Sequence, residues 1–293
     1  MTFQTPSTTV LSSAYQAATE HVRRLDVDRY LSTLFVPSER QHHIFALYAF
    51  NAEIARVRSA VSDPLPGEIR YQWWRDFLNG ECHGDAHQNP IALALAATIA
   101  ECNLPRKPFL DLIEARTFDL YDDPMPTWLD CEGYCGETSS ALIRLASLAL
   151  SGGEDLGGAM AAGHAGVAFA LTGLLRAFPW TSRRGQVFLP KELFSAHGVE
   201  LQDIRQGKPS DGLRAALAET RMRAMDHLKR TRDAILSVPA KVRPAFYPVC
   251  FVEPYLKAMA EPEYDPFRSS IDLSRLKKLF VLWCQSRRAR RCG

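Results

Sequence analysis

The chain has 293 residues, 46% hydrophobic and 23% charged, and 35 Lys and Arg against 33 Asp and Glu leave a formal net charge of +2. These figures are ordinary for a soluble globular protein, the length allows a sizeable core, and so small a net charge gives no ground for a nucleic-acid partner. Seven cysteines, an odd count, are too sparse for a disulfide scaffold and fit a reducing compartment.

From the N-terminus, "MTFQTPSTTVLSSAYQAATEHVRR" has no apolar signal core, contains Glu20 and reaches its first arginine only at Arg23. That argues against a secretory signal and lends little to a transit peptide. No apolar run approaches the length of a membrane span. The expected place is cytoplasmic or peripheral on an inner membrane, not secreted. The spacing of apolar residues predicts one helix over Ser12–Phe35, stopped by Pro37, with Ser38 as the cap of the next. That next helix includes Ala46–Pro64. Another covers Glu68–Gly80, closed by Asn79-Gly80. Asn89–Leu104 is rich in Ala and Leu and reads as a buried helix.

"KPFLDLIEARTFDLY" and "TWLDCEGYCGETSSALIRLASLAL" continue the helical pattern. "SGGEDLGG" (Ser151–Gly158) is the clearest break in the chain. The small-residue segment Ala159–Phe178 suits a helix packed tightly in the middle of a domain. Leu213–Val238 reads as a charged amphipathic helix, and "RPAFYPVCFVEPYLKAMA" follows it. No alternating β pattern, repeat or low-complexity linker is present. The fold class is therefore all-α, a single-domain helical bundle over 1–293. After Asp272 there is no acid, while Arg275, Lys277, Lys278, Arg287, Arg288, Arg290 and Arg291 follow. This basic C-terminal end, 273–293, suits an anionic membrane surface or an acidic partner as well as plain solvent.

Several familiar chemistries find no support. "GGEDLGG" lacks the Lys-Ser/Thr of a phosphate loop, no strand precedes its glycines, and no Ser-His-Asp arrangement can be argued from spacing. Cys131 and Cys135 share a helical face but lack two further zinc ligands, so they read as core thiols. His42 and His43 have no carboxylate at metal spacing and read as surface or packing histidines. In "DLYDDP", Asp119 and Asp123 are four apart and could in principle hold magnesium. Pro124 ends the helix there, however, and acids at a turn are commonly solvated or capping.

Taken in order, the landmarks resemble the squalene/phytoene synthase family over nearly the whole chain. They are "LFVPSERQHHIFALYAF", "WWRDFLNG", "FDLYDDPMPTWLDCEGYCGETSSALIRLA", "LTGLLRAFPWTSRRGQVFLP" and "YDPFRSSIDLSRLKKL". The resemblance implies an isoprenoid-synthase fold, an α-bundle around a central cavity. It also implies a magnesium-dependent prenyltransferase that joins two isoprenyl diphosphates. In that chemistry two facing carboxylate clusters hold metal ions that stabilise the departing diphosphate, and an apolar tunnel keeps water from the cation.

Both clusters are altered here. The family's first cluster, roughly "CRxxDDxxD", reads "NAEIARVRS", so its aspartates fall on Ala55, Arg56 and Ser59, with Asn51 and Glu53 nearby. The second, roughly "NIxRDxxEDxxxGRxYLP", reads "GLLRAFPWTSRRGQVFLP". Its Asn falls on Gly173, its aspartates on Ala177 and Thr181, its Glu on Trp180, its second Arg on Gln186 and its Tyr on Phe188, while Arg176 is kept. Asp130, Tyr134 and Cys135 remain of "DLxxYCxxVAG".

The "FN-x-E" phrase resembles a non-catalytic branch of the family associated with assembly of respiratory complex I. The reading that follows is a non-catalytic, synthase-like factor for assembly of a membrane complex, with no metal and no cofactor. Two alternatives stay open. One is a divergent active prenyltransferase using magnesium, with residual substrate contacts among Tyr48, Glu53, Asp119, Asp123, Asp130, Tyr134, Glu137 and Arg176. The other is a prenyl-lipid binder whose cavity is lined by apolar helices 89–104 and 159–178.

Overall fold

Helix boundaries in the computed structural model, which describes residues 7–81, 88–121 and 123–291, follow local capping chemistry. Asp122 of the acidic cluster and the side chains of Arg290 and Arg291 lie outside the description. The first predicted helix is two: α1 (Thr8–Leu25) and α2 (Val27–Thr33). Asp26 breaks them apart by leaving helical dihedrals, with φ −142° and ψ 78°. Its carboxylate accepts the Arg29 N–H at 3.0 Å and the Arg29 guanidinium at 2.7 Å, so one acid caps α2 and fixes a buried cation. Pattern alone does not show this, because the apolar spacing runs straight through the break.

Helix α3 (Ser38–Arg56) starts at Ser38, and Pro37 holds the cap position with no side-chain hydrogen bond, contrary to the expected serine cap. The helix expected over Ala46–Pro64 also ends early, at Arg56, and a 3-10 turn follows over Arg58–Ala60. Pro64 forces the residue before it toward extended backbone, and Asp63 sits there at φ −117°, ψ 154°. Next come α4 (Pro64–Asn79), closed by left-handed Gly80, and α5 (Pro90–Glu101), capped by the Asn89 side chain. Helix α6 (Lys107–Thr117) is followed by α7 (Trp128–Cys135), a π-helical turn over Gly136–Ser140, and α8 (Ala141–Ser151).

The central helix is α9 (Ala159–Arg183), 25 residues long. By length and composition it could cross a membrane, which qualifies the expectation that nothing here has that length. Yet 56% of its apolar window is buried within the protein. It packs along α12 (Asp211–Ala234) and against the π turn and α8. Its small residues have a purpose: a Cβ on Gly166 would meet the Ser140 backbone at 2.3 Å, so only glycine permits this approach. Short helices α10 (Lys191–Ala196) and α11 (Leu201–Arg205) precede α12. A 3-10 run, Arg243–Phe251, leads into α13 (Val252–Ala258), and α14 (Arg275–Arg291) ends the chain.

Helices α1, α3 and α5 form one group, joined to α9 through α8. One contiguous core runs through both halves, from Ala18 and Phe50 to Leu171, Leu217 and Phe251. Among the described residues there is no strand. Cys131 and Cys135 are fully buried, as expected of core thiols.

Candidate functional site: a cavity with a basic wall

The end of α3 faces the middle of α9 across a cavity of about 320 Å³. The positions where facing carboxylates would stand do meet here: Ala55 and Ser59 on one side, Gly173, Ala177 and Thr181 on the other. None is acidic. Four arginines, Arg29, Arg58, Arg116 and Arg184, contribute to the wall instead. Its carboxylate is Asp119, and that group is committed. It pairs with the Arg116 guanidinium at 2.9 Å and accepts the Tyr134 hydroxyl at 2.8 Å. Burial raises the Asp119 pKa above the usual aspartate value, against the pull of Arg116. Burial likewise raises the Tyr134 phenol, which stays neutral. Arg116 Nε is buried with no partner. Apolar surface comes from Phe169, Leu174 and Phe188.

These donors do not fit magnesium. A hard cation needs several oxygen ligands, usually carboxylates, and here the lining offers one carboxylate, already paired with Arg116, among four guanidinium groups, of which Arg29 is also held by Asp26. The field favours an anion, and planar guanidinium forks match phosphate oxygens.

A second chamber of about 370 Å³ adjoins the first, and both are lined by Arg29, Phe169 and Gly173. The Arg29 guanidinium lies 4.6 Å from the Phe169 ring centre and 5.3 Å from that of Tyr48. Tyr48 is buried, which raises its hydroxyl pKa to about 12.

Arg176 belongs to this second chamber. It pairs with Asp28 at 3.0 Å and lies 3.6 Å from Asp272. Lys278, only 2% exposed, meets Asp28 at 2.8 Å and Asp272 at 2.7 Å. The Tyr255 hydroxyl donates toward both carboxylates, and its ring lies 3.7 Å under the Arg176 guanidinium. Two acids and two cations balance, and together they tie α2, α9, α13 and α14.

Other anticipated site residues scatter. Arg56 is exposed, and Trp180 is 56% exposed with Arg183 beside its ring. Asn51 is buried and its Oδ1 has no partner. Glu53 pairs with His21 at 2.8 Å, which lowers its pKa. Asp130 forms the capping box of α7 with Thr127. Asp123 and Glu137 are exposed and line none of the cavities described above. Gln186, at the place of the family's second arginine, donates to the Asp119 carbonyl at 3.1 Å. Of the two helices expected to line a cavity, α9 lines this one, while α5 contributes nothing to its lining and packs against α1 and α3.

The basic C-terminal end is helix α14. It exposes Leu276 by 79%, Phe280 by 63% and Trp283 by 45%. The Arg287 guanidinium covers the Trp283 ring at 4.3 Å.

An all-α bundle whose two central helices face each other across a cavity is the architecture of the isoprenoid synthases. The crystal structure of a dehydrosqualene synthase in complex with ligand superposes with a TM-score of 0.81, covering 97% of this chain and 98% of that one at 17% identity, a likeness of fold. The chain belongs to the squalene/phytoene synthase family, whose sequence pattern matches residues 22–278.

Two relatives mark its range. The mouse (Mus musculus) NADH dehydrogenase (ubiquinone) complex I, assembly factor 6, is 33% identical over 272 residues, covering 92% of this chain and 81% of that protein. The 15-cis-phytoene synthase of Synechococcus elongatus is 25% identical over 288 residues, covering 93% and 92%.

Proposed function

We propose that this chain is a non-catalytic member of its family that acts in assembly of the respiratory NADH dehydrogenase, complex I. The observation that carries the reading is the meeting of Ala55, Ser59, Gly173, Ala177 and Thr181 across a cavity with four arginines. Prenyl transfer needs cations held opposite the leaving diphosphate, and each charge-stabilising group of that kind is worth about 10²–10³ in rate. This wall supplies positive charge through guanidinium groups without a metal to activate departure. It suits holding an anionic head, with Phe169, Leu174 and Phe188 against an apolar tail, and an isoprenoid lipid has that shape. The similarity to complex I assembly factors supports the biological role. A peripheral place on the inner membrane is supported by the exposed apolar residues and cations of α14, a combination suited to an anionic interface.

The test has two arms. Purified chain with C15 or C20 prenyl diphosphates and magnesium is expected to form no coupled product. Removal of the protein from cells is expected to deplete assembled complex I on native gels, with rescue by the wild-type chain. Coupled product that disappears on Arg116→Ala, or unchanged complex I, overturns the reading. The alternative of a divergent active synthase is favoured by the 25% identity to a phytoene synthase over nearly the full length, and the turnover arm decides it.

A further inference from the structure

At the opposite end of α3 from the cavity, the fold assembles a second group of polar side chains. His42 and His43 lie in the first turns of α3, and Glu101 is the last residue of α5. Along α3, twelve residues from His43 to Ala55 at 1.5 Å each separate this group from the cavity by about 18 Å. One ligand atom from each of His42, His43 and Glu101 lies within 4.8 Å of the others, the one such grouping of His, Cys, Asp or Glu among the described residues.

The details are those of a prepared donor set. His43 has no exposed surface. Its Nδ1 lies 3.1 Å from the Thr98 hydroxyl, which in turn lies 3.3 Å from the Tyr15 hydroxyl. An Nδ1–H donated to Thr98 leaves the lone pair on Nε2, the way a hydrogen bond from the other ring nitrogen orients a metal-binding histidine. That Nε2 is buried and makes no well-aligned hydrogen bond, although the Glu101 carboxylate is its neighbour. It sits 3.3 Å from Glu101 Oε1, and two ligands about 2.0–2.2 Å from a tetrahedral ion are about 3.3–3.5 Å apart. Tyr15 stacks edge-on against His42 at 4.6 Å, and the two imidazole rings are 3.9 Å apart. The C-terminal end of α5, where Glu101 sits, favours a cation through its carbonyls. Arg40 is the nearby cation that opposes one.

We propose that His42, His43 and Glu101 form a binding site for a divalent transition-metal ion of the zinc class, with water at the remaining position. Two imidazoles and a carboxylate suit zinc. The site lies outside the cavity and owes nothing to the magnesium chemistry of the family. A bound ion would join α3 to α5 where α1 also packs.

The full-length protein, stripped with EDTA and titrated with zinc chloride by calorimetry, is expected to bind one ion per chain and to melt at a higher temperature when loaded. Cobalt in place of zinc is expected to give visible absorption bands. His42→Gln and Glu101→Gln, at half-buried and exposed positions, should each weaken binding at least tenfold while the unloaded proteins keep their helical circular dichroism. Glu137→Gln, an exposed control, should change nothing. Absence of zinc binding overturns the site, as does binding that survives both substitutions.

Discussion

The two chambers beside Phe169 differ in how their charges are settled. Around Arg176, two carboxylates and two cations close on one another and leave no net charge. In the neighbouring cavity four guanidinium groups are met by two carboxylates, Asp119 on Arg116 and, from behind the wall, Asp26 on Arg29, so cations outnumber acids. A balanced, closed cluster is a structural tie. An unbalanced wall still has an anion to attract. Arg176 is the arginine that the family pattern keeps, yet it faces the tie. A retained residue is therefore no proof of retained chemistry: Arg176 can persist because it holds α9 to α2 and to the C-terminal segment.

The strongest way to break this contrast is at Lys278, the most buried charge of the tie. Lys278→Met leaves Asp28 buried with one cation fewer, and removing one partner of such a pair costs about 3–5 kcal/mol. Urea midpoints of the two proteins measure it. Arg176→Met should lose less, because its side chain is 29% exposed. Were Arg176 only a ligand contact, that substitution would leave stability unchanged.

The cavity should answer differently. Arg184→Gln, at an exposed residue of the basic wall, is expected to shift stability by less than about 0.5 kcal/mol. It should weaken binding of inorganic diphosphate about tenfold or more, since a charge-assisted hydrogen bond contributes about 1.5–3 kcal/mol. Calorimetry on both proteins reads the two numbers. Equal loss of stability at Arg184 and Arg176 would erase the distinction between a site and a tie.

A smaller effect sharpens the same point from the metal side. Diphosphate affinity of the native chain should be indifferent to EDTA. Installing acids at Ala55, Ser59, Ala177 and Thr181 together should turn binding magnesium-dependent, with affinity in magnesium about tenfold above that in EDTA. No magnesium dependence in that variant would mean that the two helix faces do not oppose each other as described.

The all-α bundle was legible from periodicity, and the facing pair of altered motifs from the resemblance to the synthase family, which marks their positions in the sequence. Ala55 lies in the last turn of α3 and Ser59 in the 3-10 turn that follows it, while Gly173, Ala177 and Thr181 are spaced by one turn along α9. Arg58 lay within reach of the same logic, three residues after Ala55. What escaped was assembled across the chain. Arg116 reaches the cavity from α6, Arg184 from beyond α9 and Arg29 through the Asp26 break. Lys278 looked like one charge in a basic tail until the fold brought it against Asp28. His42 and His43 lacked a carboxylate in sequence because theirs comes from α5.

The last consequence concerns pH, where the chambers should have opposite signs. Asp119 has its pKa raised by burial above the ordinary 3.8. A raised carboxyl contributes stability that is present below the unfolded value and lost as pH rises through the folded one. Asp272 is pulled up by desolvation, but hydrogen bonds from Lys278 and Tyr255 outweigh this and its pKa is lowered below 3.8. Its contribution is present above the unfolded value and lost as pH falls through the folded one. Asp272→Asn should therefore flatten the fall in stability below about pH 4, by no more than about 1 kcal/mol because the carboxylate is largely exposed. Asp119→Asn should flatten the opposite slope, above about pH 4, after its loss of the Arg116 pair is subtracted as a constant. Urea midpoints in steps from about pH 6 to pH 3 separate the two. Slopes of the same sign would mean that the two aspartates share one environment, and the division of the cavity by Arg29 and Phe169 would fail with them.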